Sequence, residues 1–175
     1  AFALAAWPVA TASQVFSGIP GIAPDMTPGD PAIFASMSKD EAACARLFTR
    51  VSGEAFAQIP DAPTTINSVR LMPAGGTHGA ADDDLPELCR VEGVIAPTIG
   101  FLLRMPTRNW NGKFMMGGCG GPCGNYLEDR VDPALVRGYA VVNTDMGHKG
   151  TGWLFGYNNR QGQIDFAYRA THLTA

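Results

Sequence analysis

The chain has 175 residues, of which 46% are hydrophobic and 17% are charged. This length suits one domain with a substantial core, and this composition is that of a globular protein. With 13 basic and 16 acidic residues the formal charge is −3, and the Arg and Lys residues are scattered singly. Because no basic patch is visible, we expect no nucleic-acid partner.

The N-terminal region carries an export signature. Residues 1–14 open with the apolar stretch AFALAAWPVA, which is too short to span a bilayer, and continue into small residues typical of a signal cleavage zone. We predict a signal-peptide remnant at 1–14 and a secreted or periplasmic protein with no membrane anchor. A short buried strand or helix is the alternative for this stretch. Residues 15–37, rich in Pro and Gly, are predicted to be an extended lead-in.

Four cysteines, which are consistent with an oxidising compartment, allow three disulfide pairings. Cys119 and Cys123 lie in a short loop of Gly and Pro that can bring them to bonding distance, which leaves Cys44 with Cys89. A zinc site is the alternative. The C-x₃-C spacing, without a nearby His pair or a second Cys pair, disfavours it.

The first half of the chain predicts one helix and three strands. Ser38 and Glu41 form a capping box ahead of a helical pattern at 39–50. Three β-branched or alternating segments predict strands at 64–72, 88–95 and 99–105.

The second half predicts alternation of strands and helices. A strand is expected at 113–116, and the Asn-Gly turn before it predicts that this strand pairs with the one at 99–105. Pro133 near the start and Gly138 at the end bound a short helix at 133–137.

The apolar run at 139–143 predicts a strand buried on both faces, lacking one neighbour and so leaving an apolar edge. Asp165 is predicted to cap a final helix that runs to the C-terminus. The fold class is therefore α/β: antiparallel strands and then strand–helix alternation, the opening half of a mixed sheet.

Residues 117–124, five of which are glycine, form a glycine loop between a strand and a helix. In such a loop no side chains shield the backbone N–H groups, so these groups can bind another molecule, as in the oxyanion hole of an α/β-hydrolase. Two phosphate cradles are alternatives. A Walker loop would end in Gly-Lys-Ser/Thr, and a dinucleotide fingerprint would place its third glycine on Cys123 and offers only Asp145 as its acidic residue.

Ordered blocks across nearly half the chain resemble the tannase and feruloyl esterase family. They are FLLRMPT at 101–107, WNGKF at 110–114, the glycine loop at 117–124, RGYAVV at 137–142, TDMGH at 144–148 and DFAYRATH at 165–172. Each block is modest, but the ordered set is specific. Cys44 and Cys89 also match a disulfide that this family often has.

The resemblance implies a secreted α/β-hydrolase that cleaves esters of aromatic acids through a Ser-Asp-His triad. The family's serine lies in a Cys-Ser-x-Gly-Gly elbow beyond this chain, so residues 38–175 would be the N-terminal portion of the catalytic domain. Gly121 aligns with the glycine whose N–H lines the oxyanion hole, and we add Gly120 as a second candidate. The family's structural calcium lies in a lid that is absent here, so we expect no cofactor or metal in this segment. The Cys119 and Cys123 pair departs from the family pattern.

Other polar and aromatic residues are predicted to be structural. Asp145 and His148 are expected to form a satisfied pair after a strand, because the chain has no serine after Ser68 for them to activate. His172 is expected to pack or to form hydrogen bonds in the last helix. Four aromatic residues suggest a substrate wall, with core packing as the default: Trp110, Trp153, Phe155 and Tyr157.

The function predicted for the full-length protein is carboxylic ester hydrolysis of small aromatic esters through an acyl-enzyme. This chain by itself is predicted to be inactive, because it lacks the nucleophile. The alternative is a non-catalytic extracellular binding module that keeps half of the hydrolase fold.

Overall fold

The structure, a computed structural model, describes residues 39–51, 62–75 and 85–175. Predictions for the signal remnant, the lead-in and the Ser38 cap lie outside these ranges. The helices and strands are α1 (Lys39–Val51), β1 (Thr64–Met72), β2 (Leu88–Ile95), β3 (Ile99–Pro106), β4 (Phe114–Gly117), α2 (Asp132–Val136), β5 (Ala140–Thr144), α3 (Arg160–Ile164) and α4 (Ala170–Thr174). Every strand and the first two helices are confirmed to within one residue at each end.

The five strands form one mixed sheet in the order β1-β2-β3-β5-β4. All neighbouring strands are antiparallel except β4 and β5, which are parallel. A parallel pair needs a crossover connection, and the segment that contains α2 supplies it. The predicted fold class, an α/β mixed sheet whose antiparallel strands come first, is confirmed.

The predicted pairing of β3 with β4 is wrong, because β5 lies between them. Val141 and Val142 on β5 are 0% and 3% exposed, and a strand that is apolar on both faces belongs inside a sheet. Asn111 therefore does not close a hairpin. Its Nδ2 donates to the carbonyl of Arg137 at 2.7 Å, and its backbone N–H donates to the carbonyl of Gly138 at 2.9 Å, so the turn docks on the end of α2.

The prediction that the strand at 139–143 lacks a neighbour is also wrong. β5 is paired on both sides, and the edge strands among the described residues are β1 and β4. Phe114 and Met115 on β4 are 49% and 40% exposed. On this side of the sheet, the edge formed by the described residues therefore belongs to the strand that leads into the glycine loop.

Helices cover parts of both faces of the sheet. On one face α2 packs against a core that includes Leu88, Leu135 and Val141. On the other face α1 and α4 lie over two clusters, and the disulfide between Cys44 and Cys89 joins α1 to β2 with an S–S distance of 1.97 Å. This long-range disulfide confirms the predicted pairing.

The last helical segment begins earlier than predicted, and Asp165 is not its N-cap. Asn159 caps it instead, since its Oδ1 accepts from the N–H of Gly162 at 3.0 Å. Between α3 and α4 the residues Asp165–Arg169 form a π-helical turn. Asp165 is fully buried there and accepts from Thr98 Oγ1 at 3.1 Å, which ties the helix to the β2–β3 turn.

Candidate functional site

The glycine loop leaves β4 at the carboxyl end of the parallel pair. Gly117, the last residue of β4, is the register partner of Asn143 on β5. In open α/β sheets, ligands bind in the crevice at the carboxyl ends of parallel strands. The loop therefore lies at the position in the fold where a ligand site is expected, beside an edge strand.

The middle of this loop carries exposed backbone N–H groups that have no partner among the described residues. Within the part of the chain that the structure describes, the amides of Gly120 and Gly121 make no hydrogen bond, and both residues are exposed. Exposed N–H groups on a turn form a site for a negatively charged or developing anionic oxygen. These groups include the N–H groups of the two residues predicted to be donors.

The glycines of the loop serve two different purposes. A Cβ at Gly117 would lie 2.6 Å from Asn143 Nδ2, and one at Gly124 would lie 2.6 Å from a backbone carbonyl, so these two glycines allow close packing. A Cβ at Gly118, Gly120 or Gly121 would meet nothing within 4 Å. Gly121 has a φ of 64°, which favours glycine on conformational grounds. The middle of the loop is therefore open to an approaching molecule.

A disulfide closes the middle of the loop. Cys119 and Cys123 are bonded, and their Cα atoms are 5.7 Å apart. Gly120 and Gly121 lie between them in the sequence. The bond therefore restrains the short stretch that carries both free amides, as predicted from the spacing.

Asp145 organises the neighbouring loop, which follows β5. It is 1% exposed, and its Oδ1 accepts from the backbone N–H groups of Gly100 at 2.8 Å and Gly147 at 2.9 Å. Its Oδ2 lies 2.6 Å from the ammonium group of Lys149. Together these contacts fix the carboxylate against β3 and the loop after β5.

Two pKa values shift around this carboxylate. Partial burial lowers the pKa of Lys149, but the contact with Asp145 outweighs burial, so the pKa is raised above its usual value. Burial raises the pKa of Tyr126, against the opposing effect of the nearby Lys149 charge. Both shifts keep lysine protonated and tyrosine neutral at physiological pH.

The side chains of Asp145 and His148 do not form the predicted satisfied pair. Neither ring nitrogen of His148 has a hydrogen-bond partner among the described residues. The imidazole instead stacks on Phe155, with ring centres 3.8 Å apart and planes 5° apart. His148 is held by ring packing.

The aromatic residues divide between core and surface. Trp110, Trp153 and Tyr157 are 61%, 65% and 76% exposed, so the default of core packing is wrong for them. Phe155 is partly buried and contacts Phe166, with ring centres 5.0 Å apart. The exposed rings of 153–157 follow Gly150, which pairs with Gly124 of the glycine loop.

His172 lies on α4 and is exposed rather than packed, beside an apolar cavity of about 460 Å³ on the sheet face that α1 and α4 share. Ser68 is the one serine in the described ranges, and it is on β1. Since β1 and β4 are opposite edges of the sheet, Ser68 cannot act at the glycine loop.

The same ranges hold neither a metal-binding cluster nor a membrane-spanning helix. No cluster of three or more His, Cys, Asp or Glu side chains there is arranged to hold a metal ion. No helix in these ranges is long and apolar enough to cross a membrane.

The family model for tannase and feruloyl esterase matches residues 85–175, more than half of the chain. The chain belongs to this family. An uncharacterized esterase of Xanthomonas campestris is 35% identical over 120 residues, which cover 63% of this chain and 21% of its own length. A probable feruloyl esterase B-1 of Aspergillus oryzae is 32% identical over 124 residues, covering 61% and 23%.

The fold is also similar to solved structures. The crystal structure of feruloyl esterase B from Aspergillus oryzae superposes with a TM-score of 0.57 and 27% identity, over 73% of this chain and 28% of that one. This chain thus spans about a quarter of the length of these relatives. The family match, over residues 85–175, includes β2 to β5 and the glycine loop.

Proposed function

We propose that this chain is the N-terminal part of a secreted serine esterase that hydrolyses small aromatic carboxylic esters, and that the glycine loop supplies one oxyanion donor. One observation carries the proposal: the exposed backbone N–H groups of Gly120 and Gly121, which make no hydrogen bond among the described residues, lie just beyond the end of β4. In α/β-hydrolases a loop between a strand and the helix that follows it gives one oxyanion N–H, and the residue after the nucleophile gives the other.

The reaction assigned to the full-length protein has two steps, acylation of the serine and hydrolysis of the acyl-enzyme. A serine Oγ outside this chain adds to the ester carbonyl carbon while a histidine takes its proton, and the carbonyl electrons move to oxygen. Collapse of this intermediate breaks the bond to the alcohol, which leaves with the proton from the histidine. Water then attacks the acyl-enzyme in the same way and releases the acid.

The N–H of Gly121, with Gly120 beside it, is assigned to the oxygen that becomes negative in both steps. Loss of one such donor costs about 3 kcal/mol of transition-state stabilisation in serine hydrolases. The disulfide between Cys119 and Cys123 keeps these donors in place before substrate arrives. Preorganised donors are effective because they need no rearrangement as charge develops.

Export and the aromatic substrate class rest on separate observations. Both described disulfides suit an oxidising compartment outside the cytosol. Relatives described as feruloyl esterases act on feruloyl esters, and exposed rings at 153–157 follow the loop that pairs with the glycine loop. Aromatic rings offer stacking surfaces to an aromatic acyl group.

The test has two steps. Reading the gene beyond codon 175 should reveal a Cys-Ser-x-Gly-Gly elbow within a few tens of residues. The full-length protein should then hydrolyse methyl ferulate or methyl gallate, and replacing the elbow serine by alanine should abolish turnover. Activity that survives this replacement would overturn the mechanism.

A non-catalytic binding module is the competing function. The exposed aromatic surface formed by Trp153, Leu154 and Tyr157 is the observation that favours it, since such surfaces bind partners. A stop codon directly after residue 175, with no turnover of either ester, would support the module.

A further inference from the structure

The last residue of the glycine loop, Gly124, is held by backbone hydrogen bonds to Gly150. The N–H of Gly124 donates to the carbonyl of Gly150 at 2.7 Å, and the N–H of Gly150 donates back at 3.3 Å. A Cβ on Gly124 would lie 2.6 Å from the Gly150 carbonyl oxygen. The two backbones are therefore in direct contact one residue from Cys123, and a shift of Gly150 is passed to the loop.

Lys149, next to this pairing, connects two other groups. Its ammonium is 2.6 Å from Asp145 Oδ2 and 4.8 Å from the centre of the Tyr126 ring. Asp145 is a fixed anchor, since it is buried and accepts two backbone N–H bonds. Tyr126 lies two residues beyond Gly124. Lys149 thus joins the loop after β5 to the segment that leaves the glycine loop.

Because Gly100 on β3 has no side chain, it leaves space for the carboxylate of Asp145 and the hydroxyl of Tyr126. A Cβ at position 100 would lie 2.3 Å from Asp145 Oδ2 and 2.7 Å from Tyr126 Oη. The carboxylate and the phenol therefore converge on one point above β3. A cation over an aromatic face is attracted to the ring, so Lys149 binds both of its neighbours.

We propose that Lys149, together with Asp145 and Tyr126, positions the oxyanion loop. The proposal rests on the proposed function. Without the ammonium, the buried charge of Asp145 loses its ion pair, and the Gly124–Gly150 pairing loses its adjacent support. The free amides of Gly120 and Gly121 then lose their fixed position while the surfaces that bind the substrate stay intact.

The test compares Lys149→Met with Lys149→Arg in the full-length protein. Lys113→Met is the matched control, because Lys113 is an exposed lysine near an aromatic ring, 5.7 Å from the centre of Tyr139. We expect Lys149→Met to lower kcat about tenfold or more with little change in KM, because misplaced catalytic groups slow the chemical step. The arginine variant should recover most of the rate, since it keeps the charge.

Hydrogen–deuterium exchange tests the positioning without reference to activity. In Lys149→Met the amides of Gly124 and Gly150 should exchange about tenfold faster, while those of β2 and β3 stay unchanged. Tyr126→Leu should give the same local effect. Exchange at Gly124 that matches the Lys113→Met control would overturn the positioning role. A wild-type protein with no esterase activity would overturn the proposed function instead, and the exchange result would still decide the role of Lys149.

Discussion

Arg90 and Arg104 are direct cross-strand partners on β2 and β3, and both bind the segment that follows the glycine loop. Arg90 makes two hydrogen bonds to the carboxylate of Glu128, at 2.8 and 3.2 Å. Arg104, which is fully buried, contacts Asp132 Oδ1 at 2.7 Å and the Glu128 carbonyl at 2.8 Å. Like charges directly opposite each other destabilise a sheet, so this arginine pair depends on its acidic partners.

Replacement of Glu128 should therefore weaken the fold. Glu128→Gln leaves two facing guanidinium groups with less compensation, and we expect a loss of about 2 kcal/mol in the free energy of unfolding. Urea denaturation of the full-length protein measures it. Asp40→Asn is the control, because neither member of its pair with Arg108 is buried, with 26% and 76% of the two side chains exposed, and its urea midpoint should not move. Equal midpoints for both variants would contradict the role of the arginine pair.

Two glycines of the loop should respond differently to alanine. At Gly124 a Cβ would collide with backbone of residues 148–150, whereas at Gly118 it would meet nothing within 4 Å. Gly124→Ala should therefore lower the melting temperature by several degrees, since a backbone collision cannot be relieved by a rotamer change. The melting temperature of Gly118→Ala should equal that of the wild type. Differential scanning calorimetry decides, and a stable Gly124→Ala variant would show that the Gly124–Gly150 contact is dispensable.

The two disulfides should separate stability from catalysis. The disulfide between Cys44 and Cys89 closes a long loop, with a sequence separation of 45, and its loss should cost about 4 kcal/mol. The bond from Cys119 to Cys123 has a separation of 4 and should contribute only about 2 kcal/mol.

Loss of the disulfide between Cys119 and Cys123 should nevertheless lower kcat by about tenfold, more than loss of the other disulfide does, because this bond restrains Gly120 and Gly121. Serine replacement of each pair, followed by ester kinetics and thermal melting, tests the contrast. Equal effects on kcat from both pairs would contradict a specific role for the loop disulfide.

Lys149 should stabilise the protein only while it is protonated. Its pKa in the folded protein is raised above the usual 10.5 by Asp145 and Tyr126, against partial burial. A raised pKa contributes stability below the pKa of the unfolded chain, and that stability is lost as pH rises through the folded value. The stability difference between wild type and Lys149→Met should be constant from about pH 7 to 9 and shrink above about pH 10.5. Chemical denaturation at each pH measures it, and a difference that grows with pH would contradict the ion pair.

The features that could be predicted from the sequence are those that local residue patterns determine. The alternation of β2 and β3, the turn chemistry around Pro133 and Gly138, and the position of the glycine loop all follow from nearest neighbours in the chain. The insertion of β5 between β3 and β4 was missed, because a strong Asn-Gly turn signal competes with a long-range preference for burying both faces of β5.

The helix start was missed for a similar reason. Asn159 and Asp165 are both good capping residues, and the choice of Asn159 follows from Asp165 being buried against Thr98. Within the site, the free amides were predictable from the glycines, whereas the contacts of Lys149 join residues on separate loops. Spacing along the chain does not reveal such contacts.

The most direct test of the central claim is a crystal structure of the full-length protein with an aromatic phosphonate bound covalently to its nucleophile. The phosphonyl oxygen stands in for the tetrahedral oxyanion. We predict this oxygen at about 2.7–3.1 Å from the backbone nitrogen of Gly121 or Gly120, in the loop closed by the disulfide. A phosphonyl oxygen bound by other groups, with both amides left in solvent, would contradict the claim.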